Sequence, residues 1–503
     1  MGALKKLAGE TAIYGLSSII GRVLNYLLVP LYTSYFLREQ MGVVSLLYAY
    51  SAFFIIVYTY GMETSYFRFA TKMPEQKNSI YNSSLSAIIL TSVLFSGLLI
   101  AFADPISSFV GVQGHPEYIF WFACIYAVDA IVSIPFARLR LEGKAKKFAL
   151  IKISNILLNI FLVVFFIVLC PILLETKLGS SLISGWYMPE GGPRYVFLAN
   201  LIANGMLVPM LWSELRAFKF SLNFEKYLKP MLSYGIPLIF IGLAGVVNNQ
   251  APIIMLEKYI PEGLYPGSSN IDIVGVFGAC SKLAIFMQLA IQAFRYASEP
   301  FFFSRAKDKK SPELFAKVMR YFVVFGVIAF VGISTNLDIL ASLFLTNKIY
   351  WTGLDVVPYL LIANLLLGVY FNLSIWFKLT EKTKYGSYIS LAGSLITIVG
   401  NIILIPMYGY MGSAYVMLVA YGFMVVVSYV LGQKYFPIPY DIVSMFAYLG
   451  VGIAVVYVST TYQFDQFLLK KAVDLSLGLI FLFFIFLVEK RQFKIIKDIN
   501  LRN

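Results

Sequence analysis

Apolar runs of about 20 residues or more recur along the whole chain, divided by short polar stretches. A run of that length crosses the ~30 Å hydrocarbon core of a bilayer at ~1.5 Å per helical residue. The pattern predicts fourteen such spans: 11–35, 41–66, 79–103, 117–137, 148–171, 194–212, 230–256, 271–297, 314–336, 355–377, 385–406, 410–432, 442–461 and 470–488. Only 172–193, 257–270 and 337–354 are longer connections. The expected fold is an all-α polytopic membrane protein with about 14 transmembrane helices.

Composition agrees. The chain is 59% hydrophobic and 13% charged, with a mean hydropathy of +0.78, whereas a soluble domain carries about 25% charge. The opening MGALKKLAGE runs straight into a full-length span, so no removable signal peptide is expected. Cys124, Cys170 and Cys280 all fall inside apolar spans, where thiols act as small hydrophobes; no disulfide framework or metal-ligand spacing is present.

The net charge of +14 is a matter of topology. Lysines and arginines outside the spans fall 27 on one side and 7 on the other when successive loops are assigned alternately. This bias puts both termini in the cytoplasm and excludes nucleic acid as the reason for the charge.

Three short motifs recur six spans apart. YGMETSYFRFA (60–70) matches YASEPFFFSRA (296–306), RLEGKAK (140–146) matches KLTEKTK (378–384), and IYGLSSIIG (13–21) matches SYGIPLIFIG (233–242). An even spacing gives both copies the same orientation. The implied organisation is two pseudo-symmetric six-helix lobes, 1–213 and 214–434, with two C-terminal helices and a basic tail in 435–503.

Charge inside the spans supplies the candidate chemistry. Gly15, Ser18, Arg22 and Asn25 share one face of the first span. An arginine near mid-membrane costs about 2.5–3.5 kcal/mol on insertion scales, so it should face a wet cavity or a partner. The eighth span carries Gln288, Gln292, Arg295 and Glu299 on one face, with Lys282 deeper and about a quarter turn away. The seventh carries Asn248, Asn249 and Gln250 between Pro237 and Pro252. A cavity between the lobes would be lined by spans one, two, seven and eight. The competing reading is structural: amides bonding between helices at about 0.6 kcal/mol each, and Arg22 paired with an acid. Asp129, alone in the fourth span, is a partner for Arg22 or a site for H+ or Na+. Glu63 and Glu299 are expected in ion pairs with Arg68 and Arg305, as coupling or gating residues. His115, the only histidine, sits in a short loop and is expected to face solvent.

Catalysis has no support. No nucleophile–base pair, phosphate loop or carboxylate cluster lies in a loop long enough to build a site.

The segments GETAIYGLSSIIGRVLNYLLVPLYT, GMETSYFRFA and QAFRYASEPFFFSRA resemble polysaccharide-export flippases of the multidrug/oligosaccharidyl-lipid/polysaccharide exporter superfamily. The resemblance runs nearly full length. It implies a bacterial inner-membrane transporter whose two lobes alternate between inward and outward openings. The implied substrate is an undecaprenyl-pyrophosphate-linked oligosaccharide, with a polysaccharide polymerase and export machinery as candidate partners. No cofactor is implied beyond H+ or Na+ coupling. The family's anion-binding arginines fall on Arg22, Arg68 and Arg295, and Lys282 joins them on the charge pattern. The open alternatives are a lipid II flippase, a multidrug or cation antiporter of the same fold, and a membrane-embedded polymerase or ligase.

Overall fold

The computed structural model describes residues 15, 17, 19–306, 308, 311–462 and 466–500, with 491–500 described by backbone alone. Ser18, Lys307, Lys309, Lys310 and the extreme terminal cations lie outside the described residues. The described chain is helical, without strands. Eleven helices are long and apolar enough to cross a membrane. A further pair, Asn270–Leu283 and Ile285–Arg305, is bent by 47° and forms a broken span. The two other expected spans differ from a simple rod. The first is helical to Tyr26, turns at Leu27 and resumes as Leu28–Tyr35. The sixth, Pro193–Gly205, breaks at Met206 after thirteen residues.

Contacts gather the chain into two units. One is Met1–Ala279 with Thr397–Tyr410, the other Cys280–Ile396 with Met411–Asn503. This is a division by packing, whereas the six-helix lobes are a division by sequence repeat.

In the first unit, small residues set the packing. Ser83, Ser84, Ser86 and Ser92 on helix Lys77–Ala101 are all fully buried. Their short side chains let neighbouring helices approach where lipid provides no hydrophobic drive. Two buried tyrosines bond through their hydroxyls: Tyr58 shares a 3.0 Å bond with Ser96, and Tyr126 a 2.9 Å bond with Ser51. The second span breaks where Tyr60 and Gly61 take left-handed conformations (φ 33° and 71°), separating Arg38–Thr59 from Met62–Lys72. At Gly61 the break also brings the backbone of Gly235 so near that an added Cβ would lie 2.7 Å from its carbonyl oxygen. Just beyond, the Ser65 hydroxyl donates to the Met231 carbonyl at 2.9 Å.

The second unit holds the two C-terminal helices, Ile442–Thr461 and Phe467–Asn500. Buried polar bonds fix them. Arg320 donates to Glu489 at 2.6 Å, and Glu489 also accepts from the Tyr448 hydroxyl at 2.7 Å. Lys471 pairs with Asp338 at 2.6 Å, and the Ser459 hydroxyl donates to Asp474 at 2.6 Å. Breaking such a buried pair by removing one partner costs about 3–5 kcal/mol.

Candidate functional site

Three of the four candidate cations have no carboxylate within pairing distance among the described residues: Arg22, Arg68 and Lys282. Each follows from a local feature of its helix. Arg22 is exposed five residues before the turn at Leu27, and Asn25 is exposed on the same stretch. Lys282 is exposed two residues before the break at Ala284. That break removes the simple angular relation expected between Lys282 and the Gln288 face, because helical periodicity does not carry across a 47° bend. Arg68 is exposed and lies over the Tyr234 ring at 4.1 Å. Arg295 lies over Phe371 at 4.1 Å, with Glu299 at a distant 4.0 Å. A ring face holds a guanidinium by about 0.5–2 kcal/mol without neutralising it. Both arginines therefore keep their charge available.

The expected partners of the two glutamates are wrong. Glu63 pairs with Arg140 and Glu299 with Lys378, while Arg305 pairs with Asp308 at 3.2 Å. The reason is geometric. Arg68 is five residues beyond Glu63, about 140° round the helix at ~100° per residue, and Arg305 is six residues beyond Glu299, about 120° round in the opposite sense. The observed pairs instead join the first two repeated motifs. Glu63 and Glu299 occupy one position of the YGMET/YASEP match, and Arg140 and Lys378 open the RLEGKAK/KLTEKTK match. Each unit thus contains the same ion pair.

Asp129 does not pair with Arg22. Its Oδ1 accepts from Asn204 Nδ2 at 3.1 Å, Asn204 Nδ2 also reaches Asn200 Oδ1 at 3.3 Å, and Asn200 Nδ2 donates to the Tyr48 hydroxyl at 3.2 Å. The charge of Lys152 acts on this carboxylate, while the Lys152 ammonium lies 4.4 Å from the Phe136 ring centre. Sequence reading missed this network. Its available signal was the pair Asn200 and Asn204, four residues apart on one face of the sixth helix.

The amides divide. Asn248 is buried and accepts from the Thr397 hydroxyl at 2.9 Å, which is the structural role. Gln288 likewise donates to Asn364 Oδ1 at 3.2 Å. Among the described residues Gln292 reaches only Tyr296, at 3.4 Å, and its Oε1 has no hydrogen-bond partner. Gln292 is therefore the member of that face with unused bonding capacity beside Arg295.

Arg22, Arg68 and Lys282 are thus cations with no paired carboxylate among the described residues. Among the described residues no three His, Cys, Asp or Glu side chains converge on a metal site.

No curated protein matches the sequence closely. Among solved structures, the lipid II flippase MurJ in an inward closed conformation aligns with a TM-score of 0.66 at 14% identity, covering 94% of this chain and 99% of that one. An inward-facing multidrug resistance transporter of the MATE family, in the MOP superfamily, aligns with a TM-score of 0.62 at 14% identity, covering 84% and 94%. A MOP superfamily transporter from Pyrococcus furiosus gives 0.53 at 14% identity, covering 85% and 95%. These likenesses establish a shared fold. The sequence profile of the polysaccharide biosynthesis protein family matches residues 7–305, more than half of the chain. The chain belongs to that family.

Proposed function

We propose that this protein is a flippase for a polyprenyl-pyrophosphate-linked oligosaccharide, moving it from the cytoplasmic to the outer leaflet of a bacterial inner membrane by alternating access. The observation that carries the reading is Arg22, exposed inside an apolar span with no acid paired to it among the described residues. An arginine left charged in a membrane helix is costly unless water or an anionic ligand takes the place of its hydration. A pyrophosphate supplies that anion, and the planar guanidinium matches its oxygens two at a time. Arg68, Arg295 and Lys282 are assigned as further cations for the substrate, and Asn25, Gln288 and Gln292 as neutral hydrogen-bonding groups.

The positive-inside bias sets both termini in the cytoplasm. Coupling to H+ or Na+ is assigned to Asp129, whose amide cradle holds the carboxylate in place. Glu63 and Glu299 serve as the paired gating residues of their units. The two C-terminal helices supply apolar surface for the polyprenyl tail. The glycan is an intermediate for O-antigen, capsule or exopolysaccharide, handed on to polymerase and export machinery. Lipid II is the second substrate considered, because the alignment with MurJ extends over 94% of the chain and takes in length that the MATE alignments leave out.

The test is restoration of surface polysaccharide in cells lacking their own flippase. Wild type should restore it, Arg22→Ala should abolish it, and Arg22→Lys should keep part of it. Full surface glycan from correctly inserted Arg22→Ala protein would refute the assignment.

A further inference from the structure

A second feature lies away from the membrane-embedded charges, at the lysine- and arginine-poor end of the first unit. There the start of helix Arg38–Thr59, the end of helix Lys229–Tyr259 and the segments 108–118 and 187–194 surround a cavity of about 1020 Å3. That is the size of a site for a sizeable organic ligand and far larger than an ion needs.

Its walls are fixed. The Tyr187 hydroxyl donates to the Phe166 carbonyl at 2.8 Å, the Met188 amide to the Tyr195 hydroxyl at 2.7 Å, and Asn270 Nδ2 to the Glu257 carbonyl at 2.8 Å. At Gly111 the backbone is left-handed (φ 83°) and lies so near Glu257 that an added Cβ would be 2.8 Å from Oε1. Glu257 Oε2 is shielded from solvent with no hydrogen-bond partner among the described residues. A carboxylate oxygen in that position costs free energy unless a donor reaches it.

The lining is mixed in a way that narrows the ligand. Glu39, Glu190 and Glu257 offer acceptors, Arg194 offers donors and Gln40 offers both. His115 is exposed, as expected, and lies at the cavity wall, where its ring stacks on Tyr118 at 4.8 Å and its Nδ1 lies 3.0 Å from Glu117 Oε1. A lining that offers both donors and acceptors beside a flat ring suits a molecule whose every hydroxyl both donates and accepts. The acids outnumber the single arginine, which disfavours an anionic ligand.

The geometry points to a binding site for a neutral, hydroxyl-rich oligosaccharide, which receives the glycan part of the transported lipid. The inference rests on the flippase reading for the source of that glycan, but its binding can be measured without transport. The full-length protein in detergent is titrated with chitotetraose, maltotetraose and mannotetraose, and with tetragalacturonate as the anionic counterpart. Tryptophan fluorescence reports the binding, since Trp121 lies 5.5 Å from the Arg194 guanidinium. Expected is saturable binding of at least one neutral tetramer, weakened about tenfold or more in the Glu39→Gln/Glu257→Gln double variant, and none of tetragalacturonate. The site is overturned if no neutral tetramer binds folded wild type, if the double variant binds equally well, or if tetragalacturonate binds as tightly. Saturable Ca2+ binding without sugar binding would likewise overturn it. Sugar binding without lipid-linked transport would remove the flippase reading alone, and transport without sugar binding would remove this site alone.

Discussion

At the scale of single residues, a charge in this protein is defined by what accompanies it. Arg22 and Lys282 are exposed and lack acids among the described residues, whereas Arg320 and Lys471 are locked to Glu489 and Asp338. The first kind is available for a ligand; the second holds helices together. Sequence alone showed which spans contain charges, because a lone cation in an apolar run is visible. It did not show which kind each one is, since the pairing partners lie 133–169 residues away. Glu214 illustrates the structural kind outside the membrane. Burial pushes its carboxyl pKa up, but hydrogen bonds from Lys147, at 2.7 Å, and from Ser213 outweigh this and bring it below the ordinary glutamate value. A lowered folded-state pKa stabilises above the unfolded value, and that stability fades as pH falls through the folded value. Glu214→Gln should therefore lower stability by about 2 kcal/mol at neutral pH, with the gap to wild type closing in acid. Thermal unfolding in detergent at several pH values checks this; a gap independent of pH would contradict it.

At the scale of elements, the internal repeat proves to be a repeat of contacts as well as of letters. The Glu63–Arg140 and Glu299–Lys378 pairs span 77 and 79 residues and link corresponding motifs in the two units. Each ties the second half of one helix to the end of another two spans later. The motifs were legible in the sequence, but the pairing was not: neighbours along one helix were the obvious partners, and helical geometry turns them away. The helix breaks were equally hidden. Nothing in the hydropathy of the second or eighth span marks Tyr60 or Ala284, whose conformations answer to neighbouring helices rather than to local propensity. If the ion pair is a gating contact, Glu63→Arg should reduce transport strongly, and Glu63→Arg combined with Arg140→Glu should recover much of it. Equal loss in the single and double variants, at normal expression, would show that the pair itself is not what matters.

At the scale of the whole molecule, the fold class was the most legible property, since crossing a bilayer fixes both length and composition of each helix. The exact spans were less so, because the sixth is interrupted and the eighth is bent. Orientation is argued from the 27-to-7 charge bias. A single cysteine placed at Ser213, beside Lys147, should therefore react with a membrane-impermeant thiol reagent only from the cytoplasmic side. One placed at Gly114, in the loop carrying His115, should react only from outside. The reverse pattern would invert the topology and with it the direction of transport.

The central claim is movement of a pyrophosphate-linked glycan along a path of uncompensated cations. It is tested most directly in proteoliposomes, by following the leaflet accessibility of a fluorescent undecaprenyl-pyrophosphate oligosaccharide with wild type, Arg22→Ala and Lys282→Ala, under imposed H+ and Na+ gradients. The expected result is transfer between leaflets by wild type that falls at least tenfold in each variant, the loss of one or more charge-assisted contacts to phosphate. Folded wild type that moves no substrate under either gradient, or variants that move it as fast as wild type, would contradict it.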